Sequence, residues 1–180
     1  MPTQSEAIHT YLRAKDENRP YLMKRAFSET ATLEMVVNSG TISFPSFSNG
    51  IDAITEVLVR DFGKAFENVC TFCLARAPEG NDTRFSCNWL VGLSEKASGA
   101  VRVGCGRYDW FFEAREPFLV ERLKITIDIM ETLSPDTLHP VMDWLSKLPY
   151  PWCSAAEAIN EIPNLVGLKP IFNYIDQRPT

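Results

Sequence analysis

The sequence has no run of basic residues, no long apolar stretch and only two histidines. Each shortage closes off a class of function. Lys and Arg number 18 against 23 Asp and Glu, which sets the formal charge at −5 and the pI near 5.1. A nucleic-acid partner needs a basic face for its phosphates, so none is expected. No apolar stretch reaches the ~20 residues of a membrane span. The N-terminus also lacks the charged-then-apolar pattern of a leader. The reading is therefore a cytoplasmic chain without a membrane partner. The five cysteines are odd in number and irregularly spaced, which fits reduced thiols better than a disulfide framework. Cys70 and Cys73 form a C-x-x-C, but on a strand they point to opposite faces. No second pair or nearby His completes a zinc set, so no metal is expected.

With 180 residues, 45% of them hydrophobic, the chain is long enough to bury a real core. Thr3 and Glu6 predict a capping box, followed by a helix with Ala7, Ile8, Tyr11 and Leu12 on one face. Asn18 and Pro20 start a shorter helix that carries Leu22, Met23, Ala26 and Phe27. A strand follows at once, alternating Ala31, Leu33, Met35 and Val37 against Thr32, Glu34 and Val36. Thr41 to Phe44 reads as a short extended piece ended by Pro45. Ser48 or Asn49 then caps a third helix holding Ile51, Ile54, Val57, Leu58, Phe62, Ala65 and Phe66.

Beyond Asn68 the pattern turns to strands, over 69–76, 84–93, 101–113 and a last one carrying Leu123, Ile125, Ile127 and Ile129. Short loops between long strands predict an antiparallel sheet with one buried and one polar face. Helices before such a sheet make an α+β layer fold with an apolar hollow at its open end. Two regions are expected: 1–133 as the α+β domain, and 134–180 as an ordered, proline-broken helical extension packed on it. Ser134-Pro135 and a Ser154/Glu157 capping box begin its helices.

This order of elements resembles the nuclear transport factor 2-like (cystatin-like) superfamily, with its SnoaL-like cyclases and ketosteroid isomerases. The anchors are Ala-Phe-Ser-Glu-Thr-Ala-Thr-Leu-Glu at 26–34, Asn-Gly-Ile-Asp-Ala-Ile at 49–54 and Gly-Arg-Tyr-Asp-Trp-Phe-Phe at 106–112. The resemblance implies a cone-shaped, strongly bent sheet packed on the N-terminal helices, and a homodimer. It also permits a comparison with the isomerases, which use a helix Tyr, a base on the first strand and a late-strand acid. Tyr11 falls at the helix position and Tyr108 near the late-strand position. Met35 stands where the base would be, and a thioether cannot take a proton. Isomerase chemistry of that kind therefore lacks its base.

Two phenols in an apolar pocket can still hold a ligand's oxygen; they are also ordinary core material. The residues expected around such a pocket are Tyr11, Met35, Leu58, Phe62, Trp89, Tyr108 and Trp110. Asp61, read on the buried side of the third helix, is a candidate acid or base; it can equally reach solvent or Arg60. His9, just past an apolar pair, is expected to face water. Neither His9 nor His139 lies where a dehydratase of this fold keeps a His–acid pair. Arg107, Asp109, Arg122, Lys124 and Asp128 invite comparison with an epoxide-hydrolase Asp-Arg-Asp set, but they sit on the polar sheet face and fit surface or dimer ion pairs better. Gly104-Cys-Gly106 opens no helix, so it is read as relief of crowding at a bend.

Three functions stay open. One is a pocket holding a small apolar or aromatic molecule. Another is a cofactor-independent isomerase, dehydratase or cyclase using Asp61 with Tyr11 and Tyr108. The third is an accessory subunit whose pocket is filled by its own side chains.

Overall fold

The computed structural model describes residues 3–177. Helix α1 (Gln4–Asp16) begins at Thr3, whose hydroxyl accepts from the Glu6 amide while its own amide donates to the Glu6 carboxylate. Two open donors of the helix start are thus satisfied. Ala7, Ile8, Tyr11, Leu12 and Lys15 recur at three- and four-residue spacing, and all are buried. A 3-10 turn, Pro20–Arg25, tucks Leu22 and Met23 inside. It leads directly into β1 (Phe27–Val37), which sends Ala31, Leu33 and Met35 inward as the alternation predicts.

Residues 38–46 have no regular strand or helix. The short β2 (Phe47–Asn49) follows. The expected cap at Ser48 or Asn49 is corrected, because both residues belong to this strand. The chain turns instead at Gly50, whose φ of +89° suits a residue without a Cβ. The next helix passes through α2 (Ile51–Thr55), a π-helical stretch (Glu56–Asp61) and α3 (Phe62–Ala65).

Four long strands complete the sheet: β3 (Phe66–Cys73), β4 (Arg84–Glu95), β5 (Val101–Phe112) and β6 (Val120–Leu133). The order is β2-β1-β6-β5-β4-β3. One pairing departs from the antiparallel expectation: β1 and β6 run parallel, with Leu33 beside Leu123 and Met35 beside Ile125. No hairpin joins these two strands, so no turn dictates their direction. The glycine pair on β5 marks a bend as expected. The β5–β6 register shifts between Cys105 and Gly106, and a Cβ on Gly106 would lie 1.9 Å from the Thr126 carbonyl oxygen.

The sheet carries a core on each side. Its inner face packs on α1 and on the helix over 51–65 through Leu33, Trp89, Tyr108, Trp110 and Leu123. Its outer face carries Phe72, Leu90, Val101, Val103 and Cys105, covered by Val141, Leu145, Ile171 and Ile175 of the C-terminal segment. The expected one-sided sheet is therefore corrected over this half, where both faces are buried. Cys70 joins the outer cluster and Cys73 the inner one, so the C-x-x-C does point both ways.

The C-terminal segment forms α4 (Leu138–Ser146), α5 (Ala155–Asn160) and α6 (Lys169–Asp176). Its predicted Ser154/Glu157 capping box forms. Gly92 makes room for α4, since a Cβ there would lie 2.2 Å from Leu145 Cδ1. Residues 151–153 line up beside β3: the Cys73 amide donates to Pro151 O at 2.7 Å and the Cys153 amide to Cys73 O at 3.0 Å. This covers a sheet edge that would otherwise be open to pairing. The first two residues of the expected domain and the last three of the expected extension lie outside the described residues.

Candidate ligand-binding site

Inside the sheet, α1, β4 and β5 bring Tyr11, Trp89 and Tyr108 around a cavity of about 50 Å³. The two tyrosine rings meet edge to face, 6.4 Å apart. The Tyr108 hydroxyl is the polar neighbour of the Tyr11 phenol. Burial pushes both phenols above their ordinary range, so both are neutral at physiological pH. Met35, Leu58, Phe62 and Ile125 supply apolar wall, and Ile42 and Phe44 of the 38–46 segment form the roof.

One charged side chain also reaches this cavity. Lys15 follows Tyr11 by one helical turn, and its Nζ donates to Asp16 Oδ1 at 2.8 Å and to Thr71 Oγ1 at 2.6 Å. The Lys15 and Asp16 side chains are only 7% and 5% exposed. Asp16 is saturated from β3, taking the Thr71 hydroxyl on Oδ1 and the Thr71 amide on Oδ2, each at 2.8 Å. The Tyr150 hydroxyl donates to Oδ2 at 3.4 Å from the C-terminal segment. The ammonium also lies 4.9 Å from the centre of the Phe62 ring. Two buried opposite charges thus balance, with hydrogen bonds on both, as a buried pair requires.

Among the described residues, donors without an acceptor remain on this wall. An ammonium has three N–H groups, and Asp16 and Thr71 occupy two of them. The two buried phenols add two O–H groups to the same wall. Among the described residues, the buried indole N–H groups of Trp89 and Trp110 have no partner, and Trp89 lines the cavity. A buried donor without a partner costs roughly 1–3 kcal/mol, so an acceptor placed here is stabilised.

Six expected pocket residues, Tyr11, Met35, Leu58, Phe62, Trp89 and Tyr108, line the cavity. Trp110 is not among the lining residues; it packs against both phenols, at 5.5 Å from Tyr11 and 5.2 Å from Tyr108. The expected inward position of Asp61 is corrected. The buried stripe of its helix is Ile51, Ile54, Thr55, Leu58, Val59 and Phe62. Asp61 falls off that stripe, 60% exposed, and pairs with Lys64 at 3.2 Å. His9 is half-buried rather than open to water, its ring edge-on to Tyr150 at 5.7 Å; His139 is exposed. On the outer face, Arg107 pairs with Asp109 and Arg122 with Glu34. Asp128 accepts from Asn38 and Tyr174.

Lys15, Asp16 and Thr71 escaped the sequence reading. A signal was present, since Lys15 continues the 7, 8, 11, 12 spacing of the buried face. Among the described residues, no group of three His, Cys, Asp or Glu side chains is placed to hold a metal ion.

No family model and no curated protein matches the sequence. Solved structures do. A nuclear transport factor 2-like superfamily protein from Salmonella enterica serovar Typhimurium aligns at a TM-score of 0.56 and 17% identity, over 69% of this chain and 88% of that one. A type 2 hexachlorocyclohexane dehydrochlorinase (LinA) aligns at 0.57 and 9% identity, over 71% and 84%. A computationally designed 17-OHP binder aligns at 0.53 and 13%, over 70% and 95%. The chain therefore has the nuclear transport factor 2-like fold. That fold carries an enzyme in one of these neighbours and a binder in another, so activity must be argued from the site.

Proposed function

We propose that this chain binds a small, neutral, apolar carbonyl compound in the interior of the fold. The observation that carries the reading is the surplus of hydrogen-bond donors on an otherwise apolar wall. A carbonyl oxygen accepts without bringing a hydrogen of its own. Charge supports neutrality, because Lys15 is already balanced by Asp16 and a ligand carboxylate would leave a net buried charge. Acid–base catalysis finds less support. Among the described residues, Asp16, the carboxylate paired with Lys15, is filled by donors, and Asp61 points to solvent. One observation favours the accessory-subunit reading instead: about 50 Å³ falls well below the roughly 300 Å³ at which ligand pockets begin.

The test uses prodan, a neutral naphthyl ketone whose fluorescence shifts in apolar surroundings, beside 2-dimethylaminonaphthalene, which lacks the carbonyl. The ketone should bind at least tenfold more tightly. Tyr108→Phe and Trp89→Phe should each weaken the ketone by about three- to tenfold, the worth of one net hydrogen bond, and leave the carbonyl-free amine unchanged. Equal affinity for the two compounds would rule out the carbonyl reading.

A further inference from the structure

One wall of the cavity is a piece of chain that is held at few points, and a second cleft lies on its other side. Ile42 and Phe44 line the inner cavity and also an outer cleft of about 380 Å³, whose rim carries Thr41, Asp61 and Arg102. The segment between β1 and β2 is thus a partition between two spaces. Along it, Ile42 and Phe44 are half-buried while Thr41, Ser43 and Pro45 are exposed. Among the described residues, no hydrogen bond is made by the backbone of residues 42–45. Segments fastened this sparsely open at low free energy compared with the sheet beneath them.

The fastenings stand at the ends and at one latch. Asn38 is tied to β6 through its amide, which donates to Ile127 O at 2.8 Å, and through its side chain, which donates to Asp128 at 3.0 Å. Ser46 O accepts from the Met35 amide at 2.9 Å. Between these anchors, among the described residues, Thr41 carries the hydrogen bonds to the sheet. Its hydroxyl donates to Met130 O at 2.6 Å, and its carbonyl accepts from Arg102 Nη1. Arg102 is itself braced by Glu95 Oε1 through Nε at 2.9 Å and Nη2 at 2.6 Å. A planar guanidinium aims three N–H groups at two acceptors here, and a neutral amide has neither the third donor nor the charge.

Resting on the carbonyl reading above, we infer that residues 38–46 are a lid latched by Arg102 at Thr41, and that ligand is held with Ile42 and Phe44 displaced, so that cavity and cleft become one site. The occupant is an elongated apolar carbonyl compound, its oxygen at Lys15 and the phenols and its tail in the cleft.

Lid opening is read without a ligand from an Ile42→Cys chain treated with dithiobis(nitrobenzoate), with the parent chain correcting for the native thiols. Arg102→Gln should speed labelling at position 42 by about tenfold. Thr41→Val touches only the lid and should speed it at least threefold, which keeps the test alive if Arg102→Gln disturbs the sheet. Prodan association should quicken by a similar factor in each variant. Unchanged labelling in both variants overturns the lid, whatever prodan does. Faster labelling with an unchanged prodan association rate overturns the joined site. Faster labelling with no prodan binding in any chain upholds the lid and overturns the carbonyl reading.

Discussion

Lys15 and Asp16 are neighbours in sequence, yet their partners come from three directions. α1 supplies both charges, β3 supplies two donors from Thr71, and the C-terminal segment supplies Tyr150. Removing one member strands the other charge in a nearly dry site. Lys15→Met should therefore cost about 3 kcal/mol in urea unfolding. Lys15→Met with Asp16→Asn should cost clearly less than the two single losses added together, since no charge is then left alone. Losses that simply add would mean that the pair is uncoupled and the site wetter than its burial implies. Tyr11 and Tyr108 were legible in the sequence because phenols stand out on an apolar stripe. Lys15 was not, because charges in a helix's last turn ordinarily reach solvent and help the helix dipole. Asp61 failed for the opposite reason: it ends a π-helical stretch, where the α-helical spacing that put it on the buried side does not hold.

The two capping boxes were read correctly, while the cap expected at Ser48 or Asn49 and the pairings with a distant cause were not. Both capping boxes form where Thr3 and Ser154 place them, because capping is decided within three residues. The parallel β1–β6 pairing and the covered outer face depend on segments far away in the chain. A hint of the second lay in the unbroken apolar run from Trp89 to Leu93, which reads as a strand buried on both faces. Gly92 in that run sits under Leu145 of α4, and this contact makes a test of how the extension docks. Gly92→Ala should destabilise by about 2 kcal/mol through overpacking, and Leu145→Ala by about 3 kcal/mol through lost burial and a cavity. The double variant should be more stable than the sum predicts, because each change relieves the other. Strict additivity in thermal unfolding would place α4 elsewhere.

At the scale of the whole molecule, buried or partly buried thiols, phenols and a half-buried histidine have shifts that bound the pH range of stability. His9 is held below its ordinary 6.5, chiefly by burial. Its contribution is complete above 6.5 and is lost as pH falls through the lower folded value. Glu95, bonded by Ser98 and Arg102, and Glu157, bonded by Ser154, are held below 4.5. Their contributions begin to fade only beneath that value, and the loss at Glu95 also frees the lid's latch. On the alkaline side the sign reverses. Burial raises Cys70, Cys73 and Cys153 from 9.0, and Tyr11, Tyr108 and Tyr150 from 10.0. Folding then opposes ionisation, so stability is whole below 9.0 and declines above it as unfolded thiols, then unfolded phenols, lose protons. Tm measured against pH should therefore form a plateau from about 6.5 to about 9, falling on both sides. His9→Phe keeps the edge-on contact with Tyr150 and removes the titrating group. The acid shoulder should then move down towards 4.5 while the alkaline edge stays in place. A shoulder that remains at 6.5 in that variant would show that the acid limit is set by some group other than this histidine.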